Sequence, residues 1–237
     1  MQCVMFLQKE LSVIIPAYNE EKRIKGTIDD YYEFFSAKKF NFEIIVVANN
    51  CSDNTASVAR QKKSKNIRVV EIKHYTGKGG AVIGGFKLAD AKLIAFVDAD
   101  NSSKPQELLR LIEKIKEGFD VAVGSRVLEG SQIKVHQPFF RVFIGRIFSI
   151  ISNTLFGLSI IDTQCGCKVF RREVVAKILK EKISDGFEFD VQLLWIAKQN
   201  GKKIAEVPIK WSNAKDSKVG ILDPLKMLIG LVRIRFF

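Results

Sequence analysis

Four short runs rich in valine and isoleucine, Leu11 to Pro16, Phe42 to Ala48, Ile67 to Ile72 and Leu93 to Val97, constrain this chain more than any other feature. Strands that are apolar without clean alternation are covered on both faces, as happens in parallel sheets flanked by helices. Between the runs the apolar period changes. From Glu20 to Ala37, the residues Ile24, Ile28, Tyr31 and Phe35 recur at spacings of three and four, the mark of a helix with one buried face. Asp53 to Lys63 and Lys78 to Ala89 read as two further helices. The pattern predicts an α/β fold with a Rossmann-like, mostly parallel central sheet. Ligands of such sheets bind beyond the carboxyl ends of the strands. Four loops should therefore line one cleft: Asn19 and Glu20, Asn49 to Thr55, Gly77 to Gly80, and Asp98 to Ser103. That is a nucleotide site by geometry.

The second half is less regular. Val121 to Gly124, Cys167 to Phe170 and Ile204 to Ile209 read as strands, and Phe139 to Phe156 and Phe187 to Gln199 as helices. A polar patch, Ser212 to Lys218, precedes a final helical segment. With 237 residues, 47% hydrophobic and 27% charged, the chain is expected to form one globular domain.

Lys and Arg outnumber Asp and Glu by 38 to 26, and the net charge of +12 favours an anionic partner such as a nucleotide or an acidic lipid surface. The basic residues are scattered and no nucleic-acid motif is present, so nucleic acid is not expected. Cys3, Cys51, Cys165 and Cys167, without a secretory signal, point to free thiols in a reducing compartment. Cys165 and Cys167 read as small buried thiols, since neither His74 nor His136 lies at zinc-site spacing. No run reaches the roughly 18 apolar residues of a membrane span. Phe139 to Ile161, with Arg141 and Arg146, and Leu225 to Phe237, with Lys226, Arg233 and Arg235, look amphipathic and interfacial instead.

The fourth apolar run ends in Asp98-Ala99-Asp100. Alternation along a strand sends both carboxylates to one side, where they suit magnesium or manganese together with diphosphate oxygens. A plain cap ahead of the helix at Pro105 is the alternative. Asn49 to Thr55 reads as a turn and helix cap, and the same polar edge offers hydrogen bonds to a base or ribose. Gly77-Lys78-Gly79-Gly80 is not a P-loop, because its glycines are few and no Ser or Thr follows the lysine. It either opens a helix or lets backbone amides approach phosphates, with Lys78 as a point charge. Asp162-Thr163-Gln164-Cys165-Gly166-Cys167 takes a polar cluster into an apolar strand, which is costly unless Asp162 and Gln164 find partners.

Taken in order, Ser12 to Glu21, Gly77 to Ala81, Asp98-Ala99-Asp100, Gly124-Ser125-Arg126 and Asp162 to Phe170 resemble the inverting GT-A glycosyltransferases of family 2. Further matches are Phe189 to Leu194, Ala205 to Trp211 and Ser217-Lys218. The Asp-Thr-Gln-Cys-Gly run resembles more narrowly the polyprenyl-phosphate branch, the dolichyl-phosphate glucosyltransferases and, less closely, the mannose synthases. The resemblance implies a single GT-A domain: 1–100 as the nucleotide-sugar half, 101–220 as the acceptor half, and 221–237 as a membrane-interfacial tail. It implies Pro16, Tyr18, Glu20 and Asp53 around the nucleoside, with Asn49 and Gln164 also among the donor contacts. Lys78 and Lys218 would reach the diphosphate, Asp98 and Asp100 would hold sugar nucleotide and Mg2+ or Mn2+, and Arg126 and Arg141 would grip an acceptor phosphate. Asp162 stays open between a base, a positioning group and a brace for the arginines. Relatives usually carry Asp-Asp where this chain has Asn49-Asn50; asparagine both donates and accepts, so the base bound is left open.

The expected function is inverting transfer of a hexose, glucose from UDP-glucose, to dolichyl or polyprenyl phosphate at the cytoplasmic face of a membrane. Two rivals stand beside it. One is a family 2 enzyme using GDP-mannose, UDP-GlcNAc or a saccharide acceptor, and the other a non-catalytic nucleotide-sugar-binding scaffold on membranes.

Overall fold

The computed structural model describes residues 8–133, 139–212 and 223–236, and of residues 139–143 and 224 the backbone alone. Strands β1 (Leu11–Ala17), β2 (Phe42–Asn49), β3 (Ile67–Ile72) and β4 (Leu93–Val97) alternate with helices α1 (Ile24–Ala37), α2 (Thr55–Ala59) and α3 (Gly77–Leu88). There follow α4 (Pro105–Lys116), β5 (Val121–Ser125), β6 (Gln132–Ile133), α5 (Phe139–Phe156) and β7 (Cys167–Arg171). The chain ends with α6 (Arg172–Ile178), α7 (Phe189–Gln199), β8 (Ile204–Pro208), β9 (Lys210–Trp211) and α8 (Asp223–Phe236).

The main sheet has the order β3-β2-β1-β4-β7-β5-β8. Its pairings are parallel except those of β7, which runs antiparallel to both β4 and β5. Val97, at the end of β4, lies opposite Cys167, at the start of β7. The segment entering β7 therefore meets the segment leaving β4 at one edge of the sheet, and a loop from the second half joins the loops of the first. Pro16 has no N–H to give to a ladder, and it sits where β1 has outrun β4. That ladder ends at Ile14 opposite Phe96, and Pro16 pairs only with Val47 of β2.

Continuous apolar runs do produce buried strands here: every residue of β2 is buried. α1 lays Ile24, Ile28, Tyr31 and Phe35 on the sheet, the four positions that its periodicity predicts. Beneath the cleft Phe86, Phe96, Phe170 and Phe189 pack with ring centroids between 5.7 and 6.4 Å, each burial stabilising the fold by roughly 1.5–3 kcal/mol. Some boundaries differ from expectation. α1 starts at Ile24 and not at Glu20, because the Glu20 amide is drawn to Thr55 Oγ1 at 2.7 Å. α2 stops at Ala59, since Arg60 to Lys63 offer nothing apolar to lay on the sheet. α6 and the short β6–β9 pair were not expected.

Candidate active site

Beyond β4 the chain turns through Asp98, Ala99 and Asp100, and Asn101, at φ +59°, reverses it. The Ser102 amide donates to Asp100 Oδ1 at 2.9 Å. Burial raises the Asp100 carboxyl above its ordinary value, and the charge of Asp98 adds to the rise. From the first turn of α3, Lys78 Nζ reaches Asp98 Oδ1 at 2.7 Å. Burial opposes the charge on Lys78, but Asp98 and Asp190 outweigh it and hold the ammonium well above its usual pKa. On the other flank the Asp98 amide donates to the Gly166 carbonyl at 3.2 Å. A Cβ at residue 166 would lie 1.8 Å from Asp98 Oδ2, so glycine leaves that carboxylate where it is and any larger residue would push it aside.

The loops after β1, β2 and β3 form the adjoining wall. Asn19 and Asn50 adopt left-handed backbones, at φ +53° and +49°, and Asn19 Oδ1 accepts the Ser52 amide at 2.8 Å, tying the first two loops together. Asp53 accepts the amides of Glu21 at 3.1 Å and Thr55 at 3.0 Å. Burial works against its charge, but the hydrogen bonds from Thr55 and Glu21 hold its carboxyl below the usual range. Glu20 pairs with Arg23 at 2.6 and 2.7 Å. Tyr18 is 41% exposed and meets Tyr75, 62% exposed, edge to face at 5.5 Å. Tyr75 stands in a polar loop without a motif, so no local signal marks it.

At two places in this wall the polar groups already have protein partners. The first is Asn49, expected among the donor contacts. It is buried, its Nδ2 donates to Gly77 O at 2.8 Å, and its Oδ1 accepts the Thr76 amide and hydroxyl, each at 3.2 Å. The second is the glycine turn, which opens α3 as one of its two readings has it. The Gly79 amide donates to Asp185 O and the Gly80 amide to Thr76 O, both at 3.1 Å. Side chains at residues 77 and 79 would press within 2.0 and 2.1 Å of the Asp185 and Ser184 carbonyls, so these glycines admit a neighbouring backbone.

Across Gly166 lies the second set. Asp162 accepts three hydrogen bonds from Arg126, from its amide at 2.9 Å and from Nε and Nη2 at 2.7 Å each. The amides of Ile161 and Asp162 in turn donate to the Glu206 carboxylate at 2.8 Å each. Burial would raise the Asp162 carboxyl, but Arg126 outweighs it and holds the group below its ordinary value. A carboxylate so engaged has its proton-accepting oxygens committed to Arg126. The Arg126 guanidinium also lies 5.5 Å over the Trp211 ring. Ser125 Oγ, Thr163 Oγ1 and Gln164 Nε2 are buried without a hydrogen-bond partner among the described residues. Beneath them Lys168, fully buried, pairs with Asp190 and donates to Cys165 O at 2.7 Å. The Arg141 side chain and Lys218 lie outside the described residues.

Residues 12–179 match the family model described as glycosyl transferase family 2. This chain belongs to glycosyl transferase family 2. Among curated relatives, a dolichyl-phosphate beta-glucosyltransferase of Dictyostelium discoideum is 36% identical over 95% of this chain and 74% of its own length. One from Saccharomyces cerevisiae is 33% identical, covering 95% and 74%, and one from Homo sapiens 30% identical, covering 89% and 70%. A solved glucosyl-3-phosphoglycerate synthase from Mycobacterium tuberculosis, in complex with Mn2+, UDP-glucose and phosphoglyceric acid, shares the fold. Its TM-score is 0.75 at 18% identity, over 95% of this chain and 79% of that one. This family 2 chain is thus a glycosyltransferase with the GT-A fold, and the non-catalytic scaffold is set aside.

Asp98 and Asp100 are the residues here that would hold a divalent cation. Among the described residues no third carboxylate, imidazole or thiol joins Asp98 and Asp100. Two carboxylates side by side at a strand end suit a Mg2+ or Mn2+ that completes its shell with water and diphosphate oxygens. No described helix is long and apolar enough to cross a membrane. Yet α8 exposes Leu225, Ile229, Val232 and Phe236 along one stripe while Leu231 is buried against the core, and α5 beside it exposes Ile147 and Ile150.

Proposed function

We propose that this glycosyltransferase transfers glucose from UDP-glucose to the phosphate of dolichol or a related polyprenol, with inversion at the anomeric carbon. The observation that carries this reading is the meeting of Lys78, Asp98 and Asp100 with Arg126 and Asp162 across Gly166. One set is suited to a leaving diphosphate and the other to an incoming phosphate, and relatives of this chain are named for the corresponding activity.

The nucleophile in this reading is a phosphate oxygen. Its second pKa of about 6 leaves it largely anionic at pH 7, so no side chain has to take a proton from it. The phosphate oxygen bonds to the anomeric carbon as the bond from that carbon to UDP breaks, and the electron pair departs on the β-phosphate. Lys78 neutralises part of that charge. Arg126, with two side-chain N–H groups committed to Asp162, turns its remaining donors to the attacking phosphate. A cation held by Asp98 and Asp100 would supply further neutralisation of the diphosphate. Tyr18 and Tyr75 offer two ring walls to the base.

The lipid acceptor accounts for α5 and α8. A helix apolar on its buried and on its exposed side is out of place in water, and a cytoplasmic membrane surface would cover the exposed side while Arg146 and Arg233 meet anionic headgroups. The test is incubation with dolichyl phosphate, Mg2+ or Mn2+, and a panel of radiolabelled UDP- and GDP-sugars. Label from UDP-glucose should enter the organic phase. Label only from GDP-mannose or UDP-GlcNAc, or label confined to water-soluble saccharide, would overturn the proposal.

A further inference from the structure

The loop carrying Asp98 and Asp100 is fastened from below by a single face of α1. Thr27 Oγ1 donates to the Ala99 carbonyl at 2.7 Å, and Tyr31 Oη donates to the Ser103 carbonyl at 2.8 Å. Both side chains are fully buried in a helix face that is otherwise Ile24, Ile28 and Phe35. Hydroxyls in such a face cost free energy unless partnered, and both partners lie in one loop more than seventy residues away. The spacing matches: four residues separate the two donors and four the two acceptors, so the loop is laid along one helical turn. Between them Asp30 accepts Asn101 Nδ2 at 2.7 Å and Lys104 Nζ at 2.6 Å. Burial keeps the Tyr31 phenol neutral, well above its ordinary pKa, so it remains a donor.

We propose that Tyr31, Thr27 and Asp30 are positioning residues that set the backbone between Asp98 and Ser103 so that both carboxylates meet one divalent cation. The proposal rests on the reading of Asp98 and Asp100 as the cation site. None of the three residues belongs to a sequence motif singled out above, and Tyr31 looks from sequence like one more core aromatic. Its hydroxyl distinguishes it. Phenylalanine would fill the same space and leave the Ser103 carbonyl without its donor.

The experiment uses the full chain with Tyr31→Phe, the near-isosteric Thr27→Val, and Asp100→Ala as reference. Mn2+ binding is followed by electron paramagnetic resonance with UDP present, without turnover, alongside UDP binding without metal. Tyr31→Phe and Thr27→Val should each weaken Mn2+ by about tenfold, as loss of an outer-shell partner does, and leave metal-free UDP binding unchanged. Raised Mn2+ should then restore kcat in both, which a general loss of folding would not allow. Mn2+ affinity within twofold of wild type in both folded variants overturns the proposal. Equal Mn2+ binding by Asp100→Ala and wild type overturns the cation-site reading and the proposal with it.

Discussion

Gly166→Ala tests the site at its narrowest point. An added Cβ would stand 1.8 Å from Asp98 Oδ2, 2.3 Å from its Cγ and 2.6 Å from Oδ1. Real Cβ atoms do not approach closer than 3.0 Å, so the nearer oxygen must retreat by about 1.2 Å. The backbone cannot give easily, because the Asp98 amide is bonded to the Gly166 carbonyl and Cys167 is already in register with Val97. The carboxylate must rotate instead, which breaks its 2.7 Å contact with Lys78. Overpacking of this kind costs about 1–3 kcal/mol of stability, a loss that a domain of this size tolerates. A displacement of about 1 Å at a reacting centre costs about a hundredfold in rate. The variant should therefore fold, melt a few degrees lower, and lose about a hundredfold in kcat/KM for the sugar nucleotide. Thermal unfolding and donor-saturation kinetics check it. A folded Gly166→Ala enzyme with kcat/KM within threefold of wild type would refute the argument that glycine is there to seat Asp98.

Asp162→Asn puts an amide group against the Arg126 donors, so the acceptor KM should rise at least tenfold, about 1.4 kcal/mol, with a pH-rate profile of unchanged shape. A thousandfold fall in kcat with loss of the acidic limb would instead make Asp162 a base. Asn49→Asp sets an acceptor-only group against the Gly77 carbonyl and should destabilise by about 1–3 kcal/mol at pH 7. Its folded pKa would be raised, so the penalty is absent below the unfolded value of about 3.9 and grows as pH rises towards the folded value. Urea unfolding at pH 4 and pH 7, compared with wild type, reads the difference; a penalty larger at pH 4 contradicts it. Lys168→Met strands the buried Asp190 carboxylate, which should cost about 3–5 kcal/mol and lower Tm by about 6–20 °C. A Tm within two degrees of wild type rules that out.

The first half of the fold was legible because its strands are buried on both faces and its helices on one, two periods that do not resemble each other. Leu93–Val97 was read to the residue. Less legible were contacts set by partners distant in sequence that no motif marks. The turn at Gly77 allowed a helix start or an approach to phosphates, and nothing local to it announces that Ser184 and Asp185 pack against it. Asn49 looked like an edge residue, and its burial against Thr76 and Gly77 depends on how the β3–α3 loop returns. Thr27 and Tyr31 stood at core positions of a well-recognised helix, where hydroxyls leave no trace in a hydrophobic pattern. Glu206 occupies an alternate position of β8, and its role in holding the Ile161 and Asp162 amides appears only in three dimensions.

The reversed strand β7 has a consequence for how the chain is made. β5 is synthesised before β7, yet β7 lies between β4 and β5 in the sheet. Until residues 167–171 arrive, β4 and β5 each present an unsatisfied, buried-type apolar edge, open to pairing with a neighbouring chain. Insertion of β7 closes both edges at once and in the same event brings Gly166 against Asp98. The outer edge of β5 is closed later, by β8, so the pairing that seats Gly166 on Asp98 does not depend on the last strand of the sheet.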